Sequence, residues 1–461
     1  MAQLTRSDTR YVDADVSTPN LTIGVALFFA FNVGIAFLMQ ASLLISTLHA
    51  FVTIAAGVYF LIVDDEPHRM LYVAGYIVGV ELLWRGTGAS VFWETGKYAV
   101  TLLLILSLIK HKFDNKANIA IIFYFLLLVP SVVQARIPNI ELIDPGRLTT
   151  IDMPFYWLGL DRRQIAFNLS GPFLLAVATL YFSRVTFTRR QLTHLFTAII
   201  GGAIGLVAIS IAATLTLDPQ QLAQLNEGTE VTSANIGANQ VSSILGLGGY
   251  LAAVVVLDRH IKGSGLKLLF MAASIVLLGQ ALLTFSRGGF WGAIIAIVVF
   301  IAFLLPKAKQ LNWPALISIA LGAVLLFGFL NVLTTGNVTE RFTDTDPTGR
   351  DEVIREEIGV FLDNPVFGVG PGQRSGSGEL LNAAHTEYTR VLAEHGLLGA
   401  FSWVFLFGVG ASNYFNKKLP MNRALSASTV AWTLFYFVHA ATRLSASGFV
   451  FALSSIQIRE E

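Results

Sequence analysis

Long apolar runs, each closed by a short polar or charged stretch, recur from residue 22 to residue 458. A membrane-spanning helix needs roughly 17 to 25 predominantly apolar residues, because a hydrocarbon core about 30 Å thick is crossed at about 1.5 Å per residue. Fourteen runs are candidates: 22–39, 43–63, 70–84, 91–109, 118–133, 165–183, 192–215, 239–257, 266–284, 290–305, 314–333, 388–412, 425–440 and 443–458. Runs 70–84, 290–305 and the last two are short, so re-entrant or merged helices would lower the count to about twelve. The pattern predicts an all-α polytopic membrane protein with about 12–14 transmembrane helices. Its organisation is a tail over 1–21, a transmembrane bundle over 22–333 with outer loops near 134–164 and 216–238, a large loop over 334–387, and C-terminal transmembrane helices over 388–461.

Charge placement orients the bundle. With the N-terminus in the cytoplasm, Lys110, Lys112, Lys116, Arg184, Arg189, Arg190, Arg259, Lys262, Lys267, Lys307, Lys309, Lys417, Lys418 and Arg423 all fall in short cytoplasmic loops, as the positive-inside rule requires. The first 20 residues carry Arg6, Asp8, Arg10, Asp13 and Asp15 before any apolar run, unlike a cleavable signal peptide, and read as a retained cytoplasmic tail. Both termini are expected in the cytoplasm, with the long loops on the outer side of the membrane. On this scheme the cytoplasmic side holds nine Lys and nine Arg, and the outer side holds Lys97 and twelve Arg. A guanidinium offers a planar fork that binds phosphate bidentately where an ammonium is a point charge, so the bias suggests an outer phosphate ligand.

Composition narrows the class. Apolar residues make up 54% of the chain and charged residues only 13%, which excludes an ordinary soluble enzyme. A net charge of +1 gives no reason to expect nucleic acid, and zero Cys removes disulfides and zinc-thiolate sites.

Candidate chemistry lies at the outer ends of the runs. Arg287, in Leu282-Leu283-Thr284-Phe285-Ser286-Arg287-Gly288-Gly289, closes one run, and two glycines after it break the helix and would let backbone approach an anionic headgroup. In the large loop, Arg350 opens an amphipathic stretch to Leu362, expected as a surface helix against the membrane. A turn-rich strap, Asn364-Pro365-Val366-Phe367-Gly368-Val369-Gly370-Pro371-Gly372, follows it. Glu387, Arg390 and Glu394 share one helical face and should neutralise one another. Of the eight His, four lie by cytoplasmic loops and His49 and His439 within apolar spans, leaving His385 and His395 as outer candidates for a base. His395 reads as packed within the helix, so His385 is the better base. Glu81 and Arg85, one helical turn apart, read either as a self-neutralising pair or as part of the lipid-phosphate site. Asp344-Thr345-Asp346 sits in a turn-forming segment and turn chemistry explains it. No nucleotide-binding or metalloprotease motif is present, and no cofactor or metal is expected.

Three elements in order, Ser286-Arg287-Gly288-Gly289, then Gly349-Arg350 leading to the Asn364–Gly370 strap, then His385 leading to Leu392-Ala393-Glu394-His395-Gly396-Leu397-Leu398-Gly399, resemble the O-antigen ligase family over roughly residues 235 to 410. The resemblance implies an inverting, metal-independent glycosyltransferase of the C type, acting outside the inner membrane on an undecaprenyl-pyrophosphate-linked glycan. The implied acceptor is another glycan or lipid A-core. It implies that Arg287 and Arg350 stabilise the leaving pyrophosphate and that His385 takes the acceptor's proton, with Arg85 added here as a pyrophosphate-binding candidate. Thr386 follows His385 where family members often carry Asn or Ser. Ligase and polymerase share this donor and differ in acceptor; a flippase for the same lipid-linked sugars is the alternative of another class.

Overall fold

The computed structural model describes residues 18–113, 115–137, 149–222, 224–225, 227–305, 311–344, 350–374 and 386–459. In chain order its helices are α1 (Thr18–Ala41), α2 (Leu43–Val63), α3 (His68–Gly86), α4 (Thr95–Lys110), α5 (Ala120–Leu126), α6 (Met153–Trp157), α7 (Arg162–Phe182), α8 (Arg189–Thr214), α9 (Pro219–Leu222), α10 (Ala238–Leu257), α11 (Ser264–Leu283), α12 (Arg287–Leu304), α13 (Trp313–Leu333), α14 (Asn337–Thr343), α15 (Arg350–Asp363), α16 (Glu387–Phe415), α17 (Pro420–His439) and α18 (Ser445–Leu453). The protein is all-α apart from a parallel two-residue pairing of β1 (Thr186–Phe187) with β2 (Gln457–Ile458). Each of the fourteen apolar runs coincides with a helix. Nine helices among the described residues are long and apolar enough to cross a membrane: α1, α2, α7, α8, α10, α11, α12, α13 and α16. The five other helices under the apolar runs, α3, α4, α5, α17 and α18, are shorter or more polar. At about 1.5 Å per residue, α18 covers about 14 Å, half of a hydrocarbon core.

The outside of this bundle is apolar. Val324, Leu325 and Val332 of α13 and Leu27 and Leu44 of α1 and α2 are all more than 60% exposed, a solvent-facing surface that suits lipid and not water. Inside, α3 packs on α8, α10 on α11 and α12, α12 on α17, and α18 on α7.

Lysines gather at one end. Lys110 Nζ donates to the carbonyls of Leu61, Ile62 and Asp64 at 2.7, 2.9 and 2.6 Å, capping α2, and Lys417 Nζ donates to Ser455 O at 2.7 Å beyond α18. Cations there satisfy terminal carbonyls and oppose the helix dipole. The opposite end gathers the C-terminus of α3, the N-termini of α10, α12 and α16, and the α17–α18 break. The candidate chemistry lies there.

Candidate functional site

Arg287 emerges from a tight corner between α11 and α12. Phe285 is fully buried with φ +54°, a left-handed conformation that costs an aromatic residue about 1–3 kcal/mol and persists only where its surroundings over-determine it. Those constraints are visible. Arg341 Nε donates to Phe285 O at 3.1 Å, Ser242 Oγ to Ser286 O at 2.9 Å, and Ser286 Oγ to Asn239 Oδ1 at 2.6 Å. The two glycines after Arg287 do not break the helix as the sequence suggested; both lie in the first turn of α12. Their role is packing: a Cβ on Gly289 would stand 2.1 Å from the Ser242 carbonyl carbon of α10, and one on Gly288 would stand 2.2 Å from the His439 ring of α17. His439, a residue that sequence reasoning left in an apolar span, therefore sits against the Arg287 turn, with its Nε2 3.1 Å from Ser243 Oγ.

Three guanidinium groups meet beyond this corner. Phe342 of α14 packs edge-on against Phe290 of α12 at 5.3 Å, which brings Arg341 beside Arg287. Arg287 Nη1 donates to Asp344 O and lies 3.7 Å from the Asp344 carboxylate; Arg341 Nη1 lies 3.5 Å from the same oxygen. The Arg350 guanidinium, at the start of α15, has its pKa pulled below the ordinary arginine value by burial and then by the like charges of Arg287 and Arg341. Arg287 and Arg341 thus share the Asp344 carboxylate, with the Arg350 guanidinium near enough for all three like charges to be felt together, the kind of guanidinium cluster that binds phosphate. Arg341 was missed by sequence reasoning because α14 is a seven-residue helix, too short for a periodic signal.

The large loop is tied to α16. The helix expected over 350–362 runs to Asp363, and Glu357 on it accepts from Thr389 Oγ1 and pairs with Arg374 at 2.9 Å. The strap then docks onto a kink in α16 at Gly396 (φ +60°, ψ −144°). Val369 N and Gly370 N donate to Ala393 O and Glu394 O at 3.0 and 2.9 Å, and Leu397 N donates to Pro365 O at 2.7 Å. Strap and kink complete each other's hydrogen bonding, which buried non-helical backbone requires. His395 is wholly buried, its Nδ1 2.5 Å from Ser131 Oγ and 3.0 Å from Leu128 O, in keeping with a packed role. His385 lies outside the described residues; Thr386 after it caps α16, accepting from Tyr388 N at 3.2 Å.

A second group of buried charges surrounds the α17–α18 break. Arg390 is gripped by Glu387 at 2.9 and 2.5 Å and by Glu394 at 2.6 Å, as their spacing predicts. Glu387 also accepts from Thr442 N and Oγ1, both at 3.1 Å, and Glu81 accepts from Ser445 N at 2.8 Å. Lys97 Nζ, itself paired with Glu94, donates to Thr442 O at 3.3 Å. Arg85 donates to Trp93 O at 3.0 Å, Gln240 Oε1 at 3.2 Å and Arg443 O at 3.3 Å, lies 3.8 Å from Glu81, and has the Trp93 ring 4.7 Å from its guanidinium carbon. Its donors therefore serve the α3–α4 connection, α10 and the break. Arg85 is a joint between elements rather than an open fork, and Arg287, Arg341 and Arg350 are grouped without it. The two groups are neighbours across His439, which touches Gly288 on one side and ends α17 just before the break on the other.

Among the described residues no cluster of His, Asp and Glu could hold a metal ion, and Asp346 lies outside them. Residues 272–404 match the family model described as O-antigen ligase. No curated protein matches the chain.

Proposed function

Through residues 272–404 the chain belongs to the O-antigen ligase family, and from that premise we propose that it transfers an undecaprenyl-pyrophosphate-linked, O-antigen-like glycan to an acceptor sugar such as lipid A-core. The family makes it a membrane glycosyltransferase of the ligase or polymerase type, with lipid-linked glycan as substrate. The single observation that carries the finer reading is the sharing of Asp344 by Arg287 and Arg341 at the start of α12, with Arg350 within electrostatic reach of both.

In the proposed reaction the acceptor hydroxyl attacks the donor sugar at C1 with inversion, and the lipid pyrophosphate leaves. Charge grows on that pyrophosphate, and pre-placed guanidinium groups stabilise it more in the transition state than in the ground state. Arg287 and Arg350 are assigned to the phosphates. Arg341 holds the Phe285 corner and shares Asp344 with Arg287, which positions the fork. His385 is assigned as the group that accepts the hydroxyl proton or orients the acceptor. The arginines supply the positive field that a divalent ion supplies elsewhere, so the reaction is expected to need no metal. The site faces the periplasm in this reading.

A lipid-linked sugar transporter is the second reading, favoured by one observation: the α17–α18 break ringed by buried Glu81, Arg85, Lys97 and Glu387 is the kind of discontinuous helix on which transporters build sites. One experiment separates the two. Purified full-length protein, mixed with lipid-linked glycan and lipid A-core in a single turnover, should release undecaprenyl pyrophosphate and lengthen the acceptor, with EDTA present or absent. His385→Ala should lower the transfer rate far more than donor affinity. An intact glycosyl-pyrophosphate bond in the presence of acceptor would favour the transporter. Glycan added to donor-linked glycan instead of core would mark a polymerase.

A further inference from the structure

The break between α17 and α18, Ala440 to Leu444, is fixed from three sides: Glu387 of α16, Arg85 of α3 and Lys97 of α4 bond its backbone, and Glu81 of α3 bonds the backbone of Ser445 at the start of α18. What the break presents is Arg443. Its guanidinium is partly buried and makes no hydrogen bond and no ion pair with any described residue, while the like charges of Arg390 and Arg374 and the carboxylate of Glu387 lie within electrostatic reach. Seven positions earlier, on α17, the Tyr436 hydroxyl is buried and also lacks a hydrogen-bond partner; it lies within electrostatic reach of Glu81, Arg443, Arg85 and Glu387.

Glu387 is held by Arg390 and Thr442. Glu81 accepts from the Ser445 backbone through Oε1, while its Oε2, 3.8 Å from Arg85, makes no hydrogen bond to Tyr436 or Arg443. A fork of N–H donors and a hydroxyl within its electrostatic reach therefore make no hydrogen bond among the described residues, in a part of the protein where an unsatisfied donor is costly. The complement of such a pair is a compact anion with several oxygens. A fork binds two of them and a hydroxyl a third, which suits tetrahedral phosphate.

We propose that Arg443 and Tyr436 form a seat for one phosphate group of a substrate, across His439 from the Arg287–Arg341–Arg350 group. The seat lies outside the family-matched residues 272–404. It rests on the transferase reading in one respect: that reading supplies two sources of phosphate, the donor's pyrophosphate and a phosphorylated acceptor glycolipid. Glu81, Arg85, Lys97 and Glu387 then act as positioning residues that hold the seat's backbone.

The test uses full-length protein in nanodiscs, with undecaprenyl pyrophosphate and phosphorylated lipid A-core as separate probes. Thermal unfolding with each probe is measured alongside steady-state KM for each substrate. Tyr436→Phe removes only a hydroxyl that has no partner in the free protein, so the probe-free unfolding temperature should hold or rise. Tyr436→Phe and Arg443→Gln are each expected to reduce the stabilisation by one probe and raise KM for the matching substrate about tenfold, equivalent to about 1.4 kcal/mol. Loss toward undecaprenyl pyrophosphate assigns the seat to the donor, and loss toward lipid A-core assigns it to the acceptor. Unchanged stabilisation and KM for both in Tyr436→Phe would overturn the seat even if Arg443→Gln fails to fold. A wild-type protein that binds a probe but transfers no glycan would overturn the transferase reading alone, because the seat is scored on binding. Wild-type protein unmoved by either probe would overturn both.

Discussion

At the scale of single residues, the proposed chemistry depends on forks rather than on charge alone. Arg287 reaches Asp344 through its carbonyl and its carboxylate, and the same carboxylate is shared with Arg341, so the guanidinium is aimed before any substrate arrives. Lysine in its place keeps the charge and loses the fork. A charge-assisted hydrogen bond contributes about 1.5–3 kcal/mol, so Arg287→Lys or Arg350→Lys should lower kcat/KM for transfer roughly 10- to 100-fold with insertion into the membrane unchanged. Steady-state kinetics on detergent-solubilised protein checks it, and wild-type kcat/KM in both variants would remove the bidentate role. Arg287 and Arg350 were legible in the sequence because each stands where an apolar or amphipathic run meets a polar turn. Arg85 was legible as a residue at the right end of the bundle but not as a joint. Two of its three hydrogen-bond acceptors are main-chain carbonyls, of Trp93 and of Arg443 358 positions away, and no pattern of side chains announces a carbonyl.

At the scale of elements, close approach of backbones sets the site. α12 lies so near α10 that a Cβ on Gly289 would overlap the Ser242 carbonyl, and the same contact aligns the Ser286 hydrogen bonds that hold the Arg287 corner. Gly289→Ala should therefore push the helices apart and lower both the unfolding temperature and the yield of monodisperse protein. Gly328→Ala on α13, where a Cβ would meet nothing within 4 Å, is the matched control, expected to be neutral or to stabilise by about 0.5–1 kcal/mol. Equal unfolding temperatures for the two variants would show that the α10–α12 contact is not needed. The glycines themselves were visible in the sequence, yet their spacing could not distinguish room for a ligand from room for a neighbouring helix. Likewise the turn-rich strap was visible as a strap, while its pairing with Ala393, Glu394 and Leu397 of a kinked α16 depends on contacts between segments distant in sequence.

At the scale of the whole molecule, the helical bundle was largely written in the apolar runs, because lipid-facing and core-facing helices both demand apolar side chains. Orientation rests on the Lys and Arg bias, and the structure shows what competes with it. Lys110 caps the end of α2 and Lys417 bonds Ser455 O just after α18, while Arg136 and Arg162, at the two ends of one loop, bond Leu158 O and Asp152 within it. Each of these placements has a structural cause that would hold in either orientation. Lys262 and Lys418 are exposed and bear no such duty among the described residues, so they carry the positive-inside argument more cleanly. With zero Cys in the chain, Lys262→Cys, Lys418→Cys and Asp363→Cys each introduce a single reporter at an exposed position. A membrane-impermeant maleimide should label Asp363→Cys in spheroplasts and reach Lys262→Cys and Lys418→Cys only after lysis. The reverse pattern would put the Arg287–Arg341–Arg350 group on the cytoplasmic side, where a periplasmic transfer to lipid A-core could not occur, and the Lys bias would then be accounted for by helix capping alone.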